Sequence, residues 1–223
     1  MDSTAIVLLS GGLDSTVALH LAARECGQVH ALAFAYGQRH SRELDCARWQ
    51  AQRAGVASFK LVQLDATLWG DNSLTHHDAP IEPGDMTRSE TPTSYVPARN
   101  MIFLAIAASH AESIGASAIY LGVSEADYSG YVDCRESFVR AMEAAINQGT
   151  ERKLTHGQPI RLVAPFLHMR KADEVRLGLE LGVDFSHTWT CYEGDTTPCG
   201  HCDSCLLRQR AFQEAGSPDP LLG

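Results

Sequence analysis

A chain of 223 residues, 44% of them hydrophobic, can bury one sizeable α/β core with a small appendage rather than two full domains. Its formal net charge of -9, from 18 Lys and Arg against 27 Asp and Glu, opposes a nucleic-acid backbone and favours a small-molecule substrate. No apolar run reaches the roughly 20 residues of a membrane span, and Met1-Asp2-Ser3-Thr4 lacks the basic start of a signal peptide, so a cytoplasmic protein without membrane contact is expected. The seven cysteines are an odd number, and three crowd into Cys199, Cys202 and Cys205, which suits reduced thiols and a metal better than a disulfide framework.

In chain order, Ala5 to Leu9 is a continuous apolar run of the kind that makes a strand buried on both faces. A glycine turn at Gly11-Gly12 follows, and Leu13 to Ala23 then carries apolar residues at helical spacing. Strands expected at 29–36, 58–64, 118–123 and 161–164 alternate with helices expected at 41–54, 99–114, 135–148 and 171–181. Such alternation predicts an α/β fold: a doubly wound parallel sheet of about five strands with right-handed crossovers. We place this domain at residues 1–185, with a small helical metal-binding module at 186–215. Ligands of such sheets bind beyond the carboxyl ends of the strands, where the chain's unusual residues fall. The stretch from Asp65 to Pro97 has no clear periodicity and is expected to be a lid over the site, partly disordered without ligand, with His76 and His77 as a solvated pair. The tail after Gly216 is expected to fray.

The strongest local signal is Leu9-Ser10-Gly11-Gly12-Leu13-Asp14-Ser15-Thr16, between strand and helix. Glycines let a backbone approach an anion closely, and a helix N-terminus offers unpaired N–H groups and a favourable dipole. A plain turn with Asp14 or Ser15 as helix cap is the bland alternative. No Gly-Lys-Ser/Thr closes the segment and no third glycine follows, so neither the Walker loop nor the dinucleotide fingerprint applies. It resembles the PP-loop signature Ser-Gly-Gly-X-Asp-Ser. That resemblance implies ATP bound by its pyrophosphate end and transfer of AMP to a substrate oxygen, with Mg²⁺ helped into place by Asp14.

The second strong signal is Cys191, Cys199, Cys202 and Cys205: two Cys-X-X-Cys steps with a fourth cysteine a short loop away, the pattern of a closed tetrahedral structural zinc site. A redox or sulfur-carrying pair is the rival reading. His201 is expected as a neighbour of the site, and Cys26, Cys46 and Cys134 as helix residues without a role.

Three further clusters follow strand ends or the lid: Tyr36-Gly37-Gln38-Arg39-His40, Val96-Pro97-Ala98-Arg99-Asn100 and Glu125-Ala126-Asp127-Tyr128-Ser129-Gly130-Tyr131. Aromatic faces with carboxylates and guanidinium groups suit a flat, polar, aromatic substrate. Together with Asp133-Cys134-Arg135, Thr188-Trp189-Thr190-Cys191-Tyr192 and Cys199-Gly200-His201-Cys202-Asp203-Ser204-Cys205, these segments closely resemble the 7-cyano-7-deazaguanine (preQ0) synthase family, of the PP-loop ATP pyrophosphatase superfamily with its adenine nucleotide alpha hydrolase-like fold. The likeness spans nearly the whole chain. It departs at Ala98 and Val132, where family members often carry Gly and Pro.

The resemblance implies an ATP-dependent carbon–nitrogen ligase of queuosine biosynthesis, making the nitrile from 7-carboxy-7-deazaguanine and ammonia through adenylated carboxylate and amide. It further implies Ser10 to Thr16 on the pyrophosphate, Asp14, Arg99 and Lys171 managing charge at the phosphates, and Tyr36, Gln38, Arg39, His40, Asn100, Asp127, Tyr128 and Arg135 toward the deazaguanine. A homodimer follows from the same likeness, with the helix near Glu136 to Ile146 as its expected interface. No glutaminase segment is read, so nitrogen comes from free ammonia or a partner. The alternatives are a PP-loop tRNA thiolase, a divergent ligase acting on another carboxylate, and a noncatalytic zinc-knuckle binding module.

Overall fold

The structure, a computed structural model, describes residues 3–39, 42–70, 72–75, 78–85, 90–125 and 131–222. His40, His76, His77, Asp127 and Tyr128 lie outside the described residues. Five parallel strands, β1 (Thr4–Leu8), β2 (Gln28–Ala35), β3 (Ser58–Gln63), β4 (Ala118–Tyr120) and β5 (Arg161–Val163), form one sheet in the order β3-β2-β1-β4-β5. Helices α1 (Leu13–Glu25), α2 (Arg42–Arg53), α3 (Arg99–Ile114), α4 (Glu136–Gly149) and α6 (Lys171–Glu180) alternate with the strands as the periodicity predicts. A short α5 (Glu151–His156) and a longer α7 (Asp203–Ala215) complete the helices among the described residues.

Side chains alternate across a strand, so the apolar run of β1 divides between two faces. Ala5, Val7 and Leu9 meet Leu19 and Ala22 of α1 and Ala47 and Ala51 of α2. Ile6, with Leu32 and Phe34 of β2, meets Leu104, Ala107, Ala108 and Ala111 of α3 and Val139 and Ile146 of α4. Each large apolar side chain buried this way contributes about 1.5–3 kcal/mol, which is why the sheet needs helices on both faces. A third cluster joins Leu13, Val17 and Ala18 of α1 to Val175 of α6 and to Ala211 and Phe212 of α7, so α7, packed on α6, is tied through it to the first helix of the sheet domain.

The chain winds from β1 outward to β3 on one side, then returns to place β4 and β5 on the other. The crevice between the carboxyl ends of β1 and β4 is therefore the topological switch point, where open α/β sheets take ligands.

Two expectations need correction. The tail beyond Gly216 is docked: Arg208, 3% exposed, forms a bidentate pair with Asp219, Nε to Oδ2 at 2.8 Å and Nη2 to Oδ1 at 2.9 Å. Cys134 is not a helix residue without surroundings of note, because it closes a 3-10 turn, Val132–Cys134, and lines the cavity described next.

Candidate active site

A cavity of about 320 Å³ opens at the switch point. Its floor is the glycine loop. Gly11 takes φ of 90°, and a Cβ there would stand 2.0 Å from the Glu43 carbonyl oxygen, so only glycine lets the loop pass the start of α2. Ser15 Oγ accepts the N–H groups of Ser10 and Gly11, each at 3.2 Å, and donates to the Gly12 carbonyl at 3.2 Å. The first turn of α1 has no side-chain cap, so its N–H groups remain free to meet an anion at the positive end of the helix dipole. Leu9, Ser10, Gly12, Leu13, Asp14 and Ser15 all line the cavity; Gly11 and the buried Thr16 sit behind it. From the other side of the crevice, Gly122 presses so closely that a Cβ would lie 2.7 Å from the Asp14 carbonyl carbon and 2.8 Å from the Ser15 nitrogen.

Lys171, the first residue of α6, reaches Asp14 Oδ2 at 2.8 Å and Glu174 Oε2 at 3.0 Å. Burial would lower the lysine's proton affinity, but the two carboxylates more than offset it and hold the ammonium above its ordinary range. Glu174 is wholly buried, with Oε1 unpartnered among the described residues. Burial, reinforced by Asp14, pushes Glu174 well above the carboxylate range against the opposing pull of Lys171.

The aromatic wall follows β2 and opens α3. Arg99 Nη1 donates to Tyr36 Oη at 3.0 Å, with the guanidinium 5.7 Å from the ring centre. Burial opposes its charge, yet Tyr36, Tyr131 and Asp133 hold Arg99 protonated. Glu43, in the first turn of α2, also faces the cavity. Burial raises its carboxyl to about 7, partly countered by Arg99 and augmented by Cys191. Leu74, Phe103, Tyr131 and Tyr192 add apolar and aromatic surface.

Of the residues the sequence singled out for substrate, Tyr36, Gln38, Arg39 and Asn100 line the cavity, and three of them hold backbone in place. Gln38 extends the end of β2, accepting from the Tyr36 N–H at 2.8 Å and donating to the Phe34 carbonyl at 3.0 Å. Arg39 Nε donates to the Ser73 carbonyl at 2.8 Å and its Nη2 to the Ala79 carbonyl, tying down the long loop. Asn100 joins α3 to the turn at Asp133, donating its N–H to the carboxylate and its Nδ2 to the carbonyl, both at 3.1 Å. Arg135 is exposed at the start of α4 and lies outside the cavity lining. Three residues the sequence reading passed over belong to the site: Glu43, Glu174 and Gly122. The i,i+3 pairing of Lys171 with Glu174 was a readable signal. The other two had none.

The four cysteines converge, their Sγ atoms all within 4.8 Å of one another. Backbone N–H groups of Glu193, Gly194 and Cys199 point at Cys191 Sγ, at 3.4, 3.1 and 3.2 Å, as expected for a thiolate ligand. A closed all-sulfur set fits a structural divalent ion such as zinc. His201 stands beside it with Nε2 3.4 Å from Glu193 Oε2. The cluster is wired to the site: Cys191 and Tyr192 line the cavity, the Trp189 N–H donates to the Gly11 carbonyl at 2.9 Å, and Arg42 lies 4.3 Å over the Trp189 ring. The long loop rests on it too, with the Gly84 N–H on the His201 carbonyl at 2.9 Å and the Asp85 N–H on Asp203 Oδ1 at 2.7 Å.

An uncapped glycine loop at a switch point, a buried lysine–carboxylate group beside it and a separate four-thiolate cluster define an ATP-using α/β enzyme of the PP-loop class. Solved structures share this fold: the NMN synthetase of Francisella tularensis, with a TM-score of 0.51 at 15% identity over 97% of this chain and 78% of that one, and a 4-thiouridine synthetase in complex with RNA and bound ATP, with 0.50 at 16% over 96% and 50%. At those identities the likeness is one of fold alone. Residues 4–216 match the family model described as queuosine biosynthesis protein QueC, and the chain belongs to that family. Curated relatives named 7-cyano-7-deazaguanine synthase are 50% identical in Clostridium kluyveri, over 97% of this chain and 96% of the relative, and 48% identical in Thermoplasma acidophilum, over 97% and 90%.

Proposed function

We propose that the cavity performs the ligase reaction its relatives are named for, converting 7-carboxy-7-deazaguanine, ammonia and ATP to 7-cyano-7-deazaguanine. The observation that carries this reading is the placement of the anion-ready loop, the Lys171–Asp14 pair and Arg99 around one aromatic-walled cavity. A carboxylate is a poor electrophile until its oxygen becomes a leaving group, which AMP transfer accomplishes. Loop N–H groups hold the pyrophosphate, while Lys171 and Arg99 offset the charge that develops as it departs. Arg99 also attracts the substrate carboxylate, and Tyr36, Tyr131 and Tyr192 offer faces and hydroxyls to the flat bicycle. A second AMP transfer, to the amide oxygen, lets that oxygen leave on AMP with its bonding electron pair, and loss of the two amide protons gives the nitrile in the same cavity.

Among the described residues the clusters able to hold a metal do not include Asp14, so magnesium is read as arriving with the phosphates, its usual habit, with Asp14 released from Lys171 to meet it. Zinc at the four cysteines braces residues 186–215 as a module. Thiolates held by a metal cannot carry sulfur, which disfavours the tRNA thiolase reading. No described helix is long and apolar enough to cross a membrane. A cytoplasmic homodimer without a nucleic-acid partner completes the proposal, supported by the acidic charge and the family likeness.

The test is mass spectrometry of purified protein with 7-carboxy-7-deazaguanine, ATP, Mg²⁺ and ammonium. Nitrile with AMP and pyrophosphate is expected. ATP binding without turnover would move the substrate to another carboxylate.

A further inference from the structure

The reaction needs a nitrogen nucleophile, and at neutral pH ammonia is present almost wholly as ammonium, which has no lone pair to attack with. The site must therefore attract a small cation next to the reacting carboxylate and accept a proton from it. Two carboxylate side chains line the cavity among the described residues, Asp14 and Glu43. Asp14 is committed to Lys171 at 2.8 Å. The Glu43 side chain makes no hydrogen bond or ion pair among the described residues, and it lines the cavity together with Tyr36, Trp189 and Tyr192. The cavity's other guanidinium groups are taken: Arg39 by the Ser73 and Ala79 carbonyls, Arg208 by Asp219.

We infer that Glu43 is the ammonium-binding and proton-accepting residue of this site. The inference rests on the ligase reading given above. Glu43 and Arg99 line the same cavity, and Arg99 is the cation proposed to attract the reacting carboxylate, so an ammonium held at Glu43 shares that cavity with the carbon to be attacked. The proton balance is direct. Ammonium gives one proton to the Glu43 carboxylate, and the freed lone pair forms the C–N bond at the adenylated carbon. The C–O bond to AMP breaks, with its electron pair leaving on the phosphate oxygen. A second proton, lost from the new C–NH₃⁺ group, passes to AMP or water. Gly11 fixes the geometry, since the Glu43 backbone touches the loop at the one point where a side chain is excluded.

The experiment separates the two half-reactions. Exchange of labelled pyrophosphate into ATP, with 7-carboxy-7-deazaguanine present and ammonium omitted, reads adenylation alone; nitrile formation against ammonium concentration reads the nucleophilic step. In Glu43→Gln, kcat/KM for ammonium is expected to fall about 100-fold or more, the usual weight of a proton-transfer group, while exchange stays within about threefold of wild type. Exchange lost together with nitrile formation, a raised KM for the deazapurine alone, or an unchanged ammonium dependence would each overturn the assignment. Should the Gln variant not fold, Glu43→Asp asks the same question: a raised KM for ammonium with exchange intact supports it, and any other pattern overturns it. Wild-type protein that forms no nitrile would instead refute the ligase reading on which the inference stands.

Discussion

Replacing Lys171 by Met keeps the volume of the side chain and removes the charge between Asp14 and a wholly buried Glu174. Breaking a buried pair costs about 3–5 kcal/mol when the partner stays charged. Here the partner has an escape, because Glu174 can take up a proton, and that limits its share of the cost. For a carboxyl whose ordinary pKa is 4.5, protonation costs nothing below that value and about 1.36 kcal/mol for each pH unit above it. The Glu174 share of the loss is therefore at most about 0.7 kcal/mol at pH 5 and about 3.4 kcal/mol at pH 7. The sign follows from linkage: burial raises the folded-state pKa already in wild type, Lys171 opposes that rise, and without Lys171 the folded protein holds the Glu174 proton to higher pH, so the variant's stability falls more steeply than that of wild type as pH rises above 4.5. Urea unfolding of wild type, Lys171→Met and Lys171→Met with Glu174→Gln at the two pH values reads this directly. Lys171→Met is expected to lose more at pH 7 than at pH 5, and the double variant to recover most of the difference. A loss equal at both pH values, or no recovery on neutralising Glu174, would refute the charge assignment.

Ala98 holds φ of 53° at the start of α3, a conformation that costs an L-residue about 1–2 kcal/mol, so Ala98→Gly is expected to gain up to about 1 kcal/mol after glycine's greater unfolded freedom is subtracted. Calorimetric melting should rise by a few degrees, and a fall would mean that the neighbouring turns already absorb the strain. Gly122→Ala places a methyl 2.7–2.9 Å from the backbone and Cβ of Asp14 and the Ser15 nitrogen, so the loop must shift: ATP binding should weaken about 10- to 100-fold by titration calorimetry, with a lowered melting temperature beside it. Removing the metal with a chelator should speed amide exchange at Trp189, Gly84 and Asp85, whose partners are the glycine loop and the cysteine turn. Unchanged exchange there would show that the loop and the turn stand without metal.

The sheet was legible because its signals are local. A buried parallel strand reads as an apolar run, and α3 begins and ends where its spacing predicts, with Gly115 at φ of 72° closing it. β4 is shorter than its apolar run because Gly122 leaves the ladder to press on the start of α1. Helix α5 buries none of its side chains, so no periodicity announced it. The tail was misread because Gly216 does mark the end of α7, whereas the Arg208–Asp219 pair that docks the residues beyond it leaves no pattern in the sequence.

The same division runs through the site. The glycine loop and the cysteines do their chemistry with neighbours in sequence, so spacing reveals them. Gln38, Arg39 and Asn100 sit where the strand-end rule places them, yet their side chains are spent on carbonyls and turns, because a loop at a strand end must first satisfy its own backbone before it can present anything to a ligand. Glu43 and Gly122 come to the cavity only when β1, β4 and α2 meet: one with a carboxylate that has no partner among the described residues, the other with a missing Cβ. The switch point forces that meeting. Helices leaving β1 and β4 depart to opposite faces, and the gap between them must be closed by a residue small enough to let the loop's N–H groups stay uncovered. The requirement that makes Gly122 invisible as chemistry is thus the one that leaves the loop's N–H groups uncovered, and a mutation there should be read in nucleotide affinity as well as in stability.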